Sequence, residues 1–289
     1  GTLNMADLIV KINLRQSLIP LGLIMAGYLT EMGVVPFHLW KPDVVEAVTP
    51  PLGAIIVSVS TSVSAYALFR VLFVFGLLEV NYLLMILGLI SIVVGAFMAL
   101  FQDDLRRLLA YSSVSQMGYI LFAFGLGSIG FVAGTFHMMN NILLKMVMFL
   151  VVGAVIYRHG KVEPVNMPIA GFCFLLASLG IAGIPPLNGF VSKLMIYEAG
   201  FDSGFPLLTL VTIIFSVITL AYYLKAFGKL FTASTKKMKE DKIFLVPIIV
   251  LTFFCVVLGL FPNIVIDFLS PVLNSIMSRE IYHCAVFGC

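Results

Sequence analysis

One lysine inside an apolar stretch is the first residue of this sequence that could do chemistry. Residues 136–157, FHMMNNILLKMVMFLVVGAVIY, are apolar almost throughout, yet Lys145 lies among them, and His137 and Asn141 precede it at intervals of four. On an α-helix the spacing i, i+4, i+8 places these three side chains along one face. The pattern predicts a polar stripe on a helix that otherwise suits a membrane.

A lysine in this position is costly and therefore informative. A charge at the centre of a membrane helix costs roughly 2.5–3.5 kcal/mol on insertion scales, so such residues usually face a bundle interior or a wet cavity. Burial favours the neutral amine and a nearby carboxylate favours the ammonium, so the group could change protonation state at accessible pH. The alternative is a structural lysine neutralised by one partner. Lys193, a second lysine in another apolar run, favours an ion relay over that alternative.

Lys193 lies in an apolar run that proline interrupts. The run 180–200, GIAGIPPLNGFVSKLMIYEAG, contains two consecutive prolines and, shortly after them, a glycine. Proline removes a backbone donor and clashes with the preceding turn, so we expect a break from Pro185 to Gly189, with Lys193 in the helix that resumes. Opened backbone at membrane depth should face the protein interior. A kink, or a loop between two ordinary helices, is the alternative.

Residues 30–51, TEMGVVPFHLWKPDVVEAVTPP, are interrupted in a similar way around Pro36 and Pro42, with Glu31 before the break. Burial of a carboxylate favours its neutral form unless a cation is near. Two roles are open for Glu31: a working proton or sodium site facing a polar axis, or a protonated remnant with one local hydrogen bond. An unused buried acid costs insertion energy, which favours the working role. Discontinuous helices in repeated halves are typical of transporters.

The elements that position these residues must lie in a bilayer. Hydrophobic residues make up 61% of the chain and charged residues only 11%, which is outside the range of soluble domains. A membrane helix needs about 20 residues, and runs of near that length are apolar on every face, unlike barrel strands. The sequence therefore predicts an all-α, polytopic bundle with roughly eight helices near 17–36, 51–78, 81–101, 110–127, 130–157, 168–200, 204–230 and 243–262.

Basic residues outside the apolar runs predict the orientation of the bundle. They concentrate at alternate helix ends, at Lys41 and in the loops 101–109, 158–166 and 231–242. The positive-inside rule places these loops in the cytoplasm. We therefore expect a multi-pass protein of the inner or plasma membrane, with Lys41 as an ordinary basic residue at a cytoplasmic helix end.

Signatures of catalysis or of cofactor binding are missing from the sequence. The four cysteines form no CxxC pair, no glycine-rich phosphate loop occurs, and no loop is long enough to fold as a domain. We expect no catalytic residue, cofactor, metal or nucleic acid in this chain, so any redox chemistry coupled to it belongs to other subunits. The chain opens with Gly1 rather than Met, so we also expect an upstream part.

Four segments resemble the signature segments of one family: FQDDLRRLLAYSSVSQMGYILFAFGLGS, FHMMNNILLKMVMFLVVGAVI, SLGIAGIPPLNGFVSKLMI and VVPFHLWKPDVVEAVTPP. They are similar to the antiporter-like membrane subunits shared by respiratory complex I, Mrp-type sodium/proton antiporters and energy-converting membrane-bound hydrogenase or sulfur-reducing complexes. The resemblance extends to about residue 262. It implies the C-terminal part of a fold with two inverted repeats, each with a broken helix, and a central polar axis for protons or sodium ions.

The resemblance also implies roles for individual residues. Lys145 matches the family's central lysine, His137 matches a histidine of the same helix, and Lys193 matches the basic residue after the second break. Asn141 stands where some members have a second histidine. An amide can hydrogen-bond a water but cannot take up a proton in the physiological range.

The first half departs from the family pattern. Glu31 and Ser62 stand where many members have lysine, so two positive charges are missing and the first half-channel is in question. The implied division is 1–80 for the end of the first repeat and 81–230 for the second. Residues 231–289 then comprise a cytoplasmic loop, the last transmembrane helix and a tail.

Three functions follow from the resemblance, and we rank them in this order. The first is a subunit that translocates protons or sodium ions in a redox-driven assembly. Its partners would be the lipid bilayer, other membrane subunits, and soluble subunits with iron–sulfur clusters. The second is a subunit of a standalone Mrp-type sodium/proton antiporter, and the third is a structural spacer. The residues that we expect to carry ions are Lys145, Lys193, His137, Glu31 and Asn141.

Overall fold

Helices form almost all of the part of this protein that the structure describes. The computed structural model describes residues 14–75, 78–232 and 240–277, and every regular element in these ranges is helical, which confirms the all-α prediction. The α-helices are α1 (Leu14–Met32), α2 (Trp40–Ala47), α3 (Pro50–Ala54), α4 (Thr61–Phe75), α5 (Leu78–Phe101), α6 (Leu105–Gly125), α7 (Ser128–His159), α8 (Pro168–Ala182), α9 (Asn188–Asp202), α10 (Pro206–Phe227), α11 (Lys242–Leu260) and α12 (Asn263–Met277).

The predicted membrane runs correspond to continuous or broken helices. The run 168–200 folds as a helix pair, α8 with α9, and the run 17–36 folds as α1, which a break separates from α2. A π-helical segment, Ile55–Ser60, joins α3 to α4, and a second, Gly228–Thr232, extends α10. Part of the predicted loop 231–242 lies outside the described residues. The continuous helices long and apolar enough to cross a membrane, six among the described residues, are Pro50–Leu72, Val80–Phe101, Leu105–Gly125, Ser128–Arg158, Pro206–Thr232 and Lys242–Leu260.

The last described helix, α12, is not predicted from the sequence. It has 15 residues, whereas a helix needs about 20 to cross a bilayer. It packs against α7, and its Ile264 and Phe268 side chains are exposed. Residues 263–277, which were expected to belong to a C-terminal tail, thus form a helix.

Helices α6 and α7 form the centre of the bundle. Residues 108–125 of α6 are all buried, and α6 contacts α2, α4, α5, α7, α9 and α10. The 32-residue α7 contacts α3, α8, α9, α11 and α12 in addition to α6. A helix surrounded in this way has no face towards lipid, so polar side chains on any face of α6 point into protein.

Glycines bring α5 and α6 into backbone contact. A Cβ atom at Gly118 of α6 would lie 2.6 Å from the Gly88 carbonyl oxygen and 2.7 Å from the Ile92 nitrogen of α5. A Cβ atom at Gly95 would lie 2.5 Å from the Ser115 nitrogen. Membrane helices associate through van der Waals packing rather than a hydrophobic driving force, and small residues allow the closest packing. These glycines therefore hold α6 in the centre.

A break in the run 180–200 is confirmed, but it extends from Gly183 to Leu187, and Gly189 already lies in α9. Helix α8 ends at Ala182, Gly183 has a φ of +88°, and α9 carries Lys193 after the break. Helix α11 packs against the break, because a Cβ atom at Gly259 would lie 2.3 Å from the Pro186 carbonyl oxygen. Gly183 can adopt its positive φ because it has no Cβ atom.

The orientation of this break differs in part from the prediction. Residues 187–189 are buried, but Pro185 and Pro186 are exposed on the described chain. The break therefore extends from the interior to the surface of the bundle. Proline has no backbone N–H, so its exposure leaves no donor unpaired.

The first break lies between α1 and α2. Helix α1 ends at Met32, Gly33 has a φ of +62°, and residues 35–39 form turns before α2. Pro36 lies in the break as predicted, but Pro42 does not, because it occupies the first turn of α2, where a missing N–H breaks no helical hydrogen bond. Both breaks contain a cis X–Pro peptide bond.

Ion pairs attach α2 to the start of α6. The Arg107 side chain donates to Asp43 at 2.9 Å and to Glu46 at 2.7 Å. Arg106 donates to the Glu46 carbonyl at 2.6 Å. The Asp104 carboxylate accepts from the first backbone N–H groups of α6 and so caps that helix. The break between α1 and α2 is therefore anchored on the central helix.

We expect Gly118→Ala to destabilise the protein, because the added methyl group would fall within contact distance of the α5 backbone. The apparent Tm of the purified protein in detergent should fall by several degrees. Gly27→Ala in α1 is the matched control, since no described atom lies within 4 Å of a Cβ there and alanine favours a helix. Equal Tm values for the two variants would contradict the close approach of α5 and α6.

Candidate functional site

Lys145 lies in the interior, as predicted, and binds oxygen atoms of two neighbouring helices. Its side chain is completely buried, and Nζ donates to the Leu109 carbonyl at 3.0 Å, to Tyr223 Oη at 3.0 Å and to Ser112 Oγ. The Tyr223 hydroxyl also donates to Ser112 Oγ at 2.8 Å. An ammonium group has three donors, so these three oxygens can satisfy it. No ion pair among the described residues includes this amine.

Lys193 lies in the interior in the same way, next to the second break. The side chain is 1% exposed, and Nζ donates to Ser216 Oγ at 3.0 Å and to the Ala182 carbonyl at 3.4 Å. Nζ also lies 4.5 Å from the centre of the Tyr119 ring, within the range of a cation–π interaction. This amine too is held without a carboxylate in the described part of the chain.

Ser216 of α10 joins the polar side chains around Lys193. Its Oγ lies 3.0 Å from Tyr119 Oη and 2.5 Å from Tyr197 Oη. A cavity of about 190 Å³ adjoins Lys193, Tyr197 and Ser216. Apolar side chains complete its lining, and one of them, Val217, is 65% exposed. The Lys193 site therefore reaches close to the outer surface between α9 and α10.

His137 connects α6 and α9 beside this site. It is buried, its Nδ1 lies 2.9 Å from Ser192 Oγ, and its Nε2 lies 3.2 Å from Gln116 Oε1. Gln116 Nε2 has no partner among the described residues. An amide rotated by 180° would donate to His137 Nε2 and suit a neutral ring, whereas Oε1 in this place requires a proton on Nε2. The hydrogen-bond partners are therefore compatible with either neutral tautomer of the imidazole.

One face of α6 links these groups. Ser112, Gln116 and Tyr119 are spaced i, i+4 and i+7, which places them on the same side of the helix. Ser112 binds Lys145, Gln116 contacts His137, and Tyr119 lies under the Lys193 amine. The span from Ser112 to Tyr119 is about 10 Å along the helix axis. This face was not predicted from the sequence, although its spacing is the same signal that identified the stripe on α7.

Two asparagines of α7 complete the interior polar groups. Asn141 is 1% exposed, and neither its Oδ1 nor its Nδ2 has a partner among the described residues. Buried polar atoms of this kind are commonly satisfied by ordered water. Asn140, which the sequence did not single out, exchanges hydrogen bonds with Asn188: it donates to the backbone carbonyl at 3.1 Å and accepts from Nδ2 at 2.9 Å.

Glu31 lies apart from the other predicted site residues. Its side chain is exposed on the described chain, where the Ser60 hydroxyl donates to the carboxylate. The prediction that the Glu31 carboxylate is buried is therefore wrong within the part of the chain that the structure describes. The structure brings together four of the five candidate residues, namely Lys145, Lys193, His137 and Asn141, and leaves Glu31 on the outer surface.

The prediction that Lys41 is an ordinary basic residue at a helix end is wrong. The side chain is completely buried, and Nζ donates to the Met32 carbonyl and lies 3.4 Å from Ser113 Oγ. A repeated order of residues could have identified it. Gly33, Pro36 and Lys41 follow one another in the first break as Gly183, Pro185 and Lys193 do in the second.

Known proteins resemble this chain along most of its length. The family model described as NADH:quinone oxidoreductase/Mrp antiporter, TM, matches residues 1–219. An uncharacterised protein of Methanocaldococcus jannaschii is 32% identical over 93% of this chain and 60% of its own length. NADH-quinone oxidoreductase subunit N of Desulforudis audaxviator is 32% identical over 92% of this chain and 60% of its own length. The chain thus spans about three fifths of these relatives.

Solved structures share the fold. A chain of the membrane-bound sulfane sulfur reductase, an archaeal respiratory membrane complex, matches with a TM-score of 0.91 at 26% identity, over 98% of this chain and 62% of that chain. A chain of the Mrp complex from Dietzia sp. DQ12-45-1b matches with a TM-score of 0.92 at 22% identity, over 99% of this chain and 64% of that chain. With a family model matching residues 1–219, this integral membrane chain belongs to the NADH:quinone oxidoreductase/Mrp antiporter transmembrane family.

Proposed function

We propose that this chain is a membrane subunit that translocates protons or sodium ions in a redox-driven assembly of the complex I, hydrogenase or sulfur-reducing type. The observation that carries the proposal is the pair of buried amines, Lys145 and Lys193, each held by neutral oxygens and connected through one face of α6. A permanently charged structural lysine at this depth would be expected to pair with a carboxylate.

The surroundings of the two amines suit proton exchange. Burial opposes the ammonium form, whereas oxygen acceptors act in the opposite direction. The hydroxyl groups of Ser112, Tyr223 and Ser216 both donate and accept, and can therefore pass a proton on while receiving another.

The partners follow from the relatives. One is a subunit of NADH-quinone oxidoreductase and another belongs to a respiratory membrane complex. We therefore propose that this chain assembles with other membrane subunits, and that soluble subunits with iron–sulfur clusters perform the redox reaction. The same proposal divides the chain into three parts. These are the end of the first repeat at 1–80, a second repeat at 81–230 and a C-terminal part at 231–289.

Two alternatives are each favoured by one observation. The likeness to a chain of an Mrp complex favours a standalone sodium/proton antiporter, and the exposure of Glu31 on the outer surface favours a spacer with an incomplete half-channel. Affinity purification of the native complex distinguishes the redox-driven assembly from the standalone antiporter. Iron–sulfur subunits among the co-purified chains would support the redox-driven assembly, and an exclusively membrane-embedded set would support the antiporter.

Lys145→Met should reduce ion transport to the background rate, because methionine fills similar space but binds neither a proton nor a cation. The complete complex is reconstituted into vesicles, and ion movement is followed with a proton-sensitive or sodium-sensitive dye. Lys161→Met is the matched control, since Lys161 lies in an exposed loop and pairs with Glu163. Wild-type transport by the assembled Lys145→Met complex would refute the proposal.

Glu31→Gln tests whether Glu31 is a proton or sodium site at a surface that a neighbouring subunit covers. In that role, the substitution should lower the transport rate. Glutamine retains an acceptor for the Ser60 hydroxyl but cannot bind a proton. The exposed Glu198 of α9 provides the matched control, Glu198→Gln. An unchanged rate and an unchanged ratio of ions to redox turnovers would assign Glu31 a local structural role and would strengthen the spacer alternative for residues 1–80.

A further inference from the structure

Lys41 occupies an interior site similar to those of the other buried lysines. The side chain is completely buried, and its amine donates to the Met32 carbonyl and contacts Ser113 Oγ at 3.4 Å. Its aliphatic part packs against Gly33, where a Cβ atom would lie 2.3 Å from Lys41 Cε. Like the other two buried amines, it is held by neutral oxygens rather than by an ion pair among the described residues.

The sites of Lys41 and Lys193 have the same construction. In each break the first helix ends, a glycine with positive φ follows, and a lysine of the next helix returns to the carbonyl before that glycine. Lys41 binds the Met32 carbonyl, and Lys193 binds the Ala182 carbonyl. Each amine also reaches a serine on a neighbouring helix. The two breaks therefore present their lysines in equivalent ways.

Consecutive serines of α6 each bind one of two lysines, Lys41 and Lys145. Ser113 contacts the Lys41 amine, and Ser112 accepts from the Lys145 amine. Because the two amines bind adjacent residues of the same helix, their charges interact. Protonation of one lysine therefore disfavours protonation of the other.

Few other charged groups face Lys41. Glu31 of α1 attracts its ammonium form, and His38 in the break lies within electrostatic reach. The carboxylates of α2 itself, Asp43 and Glu46, pair with Arg107 at the start of α6. On the central helices, the buried charged group that interacts with Lys41 is the Lys145 amine.

We infer that Lys41 is a third proton-exchanging residue of the ion path, coupled to Lys145 by charge and to α6 through Ser113. The inference rests on the proposed function and deepens it. The neutral amine of Lys41 binds one proton to become an ammonium group, and that charge promotes release of one proton from Lys145. Release of the proton from Lys41 allows Lys145 to be protonated again.

Substitutions at Lys41 test this role in the reconstituted complete complex. Lys41→Gln keeps a donor for the Met32 carbonyl but cannot exchange a proton. We expect it to slow transport by about a hundredfold, the scale of losing a proton-transfer group. Lys41→His should restore part of the rate with a pH profile displaced to the acid side, because histidine titrates near 6.5 and lysine near 10.4. Wild-type transport by Lys41→Gln would overturn the inference and leave Lys41 a structural donor.

Ser113→Ala tests the same role without changing the lysine. It should slow transport severalfold and displace the pH profile, whereas the control Ser178→Ala removes a buried hydroxyl that bonds only within its own helix. If the Lys41 variants do not assemble, an unchanged rate and profile for Ser113→Ala would overturn the inference. Lys145→Met separates the two proposals: transport lost there but retained in the Lys41 and Ser113 variants refutes only the role of Lys41. Transport retained in Lys145→Met refutes the proposed function itself.

Discussion

A buried amine must find its hydrogen-bond acceptors inside the protein, and much of this structure follows from that requirement. Lys41, Lys145 and Lys193 are all buried, and none forms an ion pair within the described ranges. Their acceptors are backbone carbonyls and hydroxyl groups. A continuous membrane helix has few free carbonyls, because its own ladder uses them. The helix breaks supply free carbonyls at two of the three sites.

The third site depends on how closely the central helices pack. Glycines of α5 allow α6 to be surrounded on all sides, and α6 in turn presents serine, glutamine and tyrosine side chains to the lysines of α7 and α9. Neutral polar side chains cost little free energy in a membrane helix. They can bind a buried amine only where another helix packs against them. Close contact between the α5 and α6 backbones at Gly118 thus helps to position the polar side chain of α6 that meets the Lys145 amine.

The residues that could be predicted are those whose effect is local. The cost of a charge in an apolar run identified Lys145 and Lys193, and the missing N–H of proline identified the break that precedes Lys193. Lys41 could not be recognised in this way, because tryptophan, proline and aspartate beside it give the composition of a membrane interface. Its burial depends on the turn at Gly33, which folds α2 back onto α6. The surface position of Glu31 depends on tertiary packing in the same way.

The shared construction of the breaks has an electrostatic consequence. The carbonyl that each lysine binds is at the C-terminal end of a half-helix, α1 for Lys41 and α8 for Lys193. The aligned peptide dipoles of a helix place roughly half a negative charge at that end. Each half-helix therefore attracts an ammonium group as a weak carboxylate would, but this partial charge belongs to the backbone and cannot be protonated. Acidification would neutralise an aspartate or glutamate counter-ion, whereas the counter-charge at Met32 and Ala182 persists for as long as the helices do.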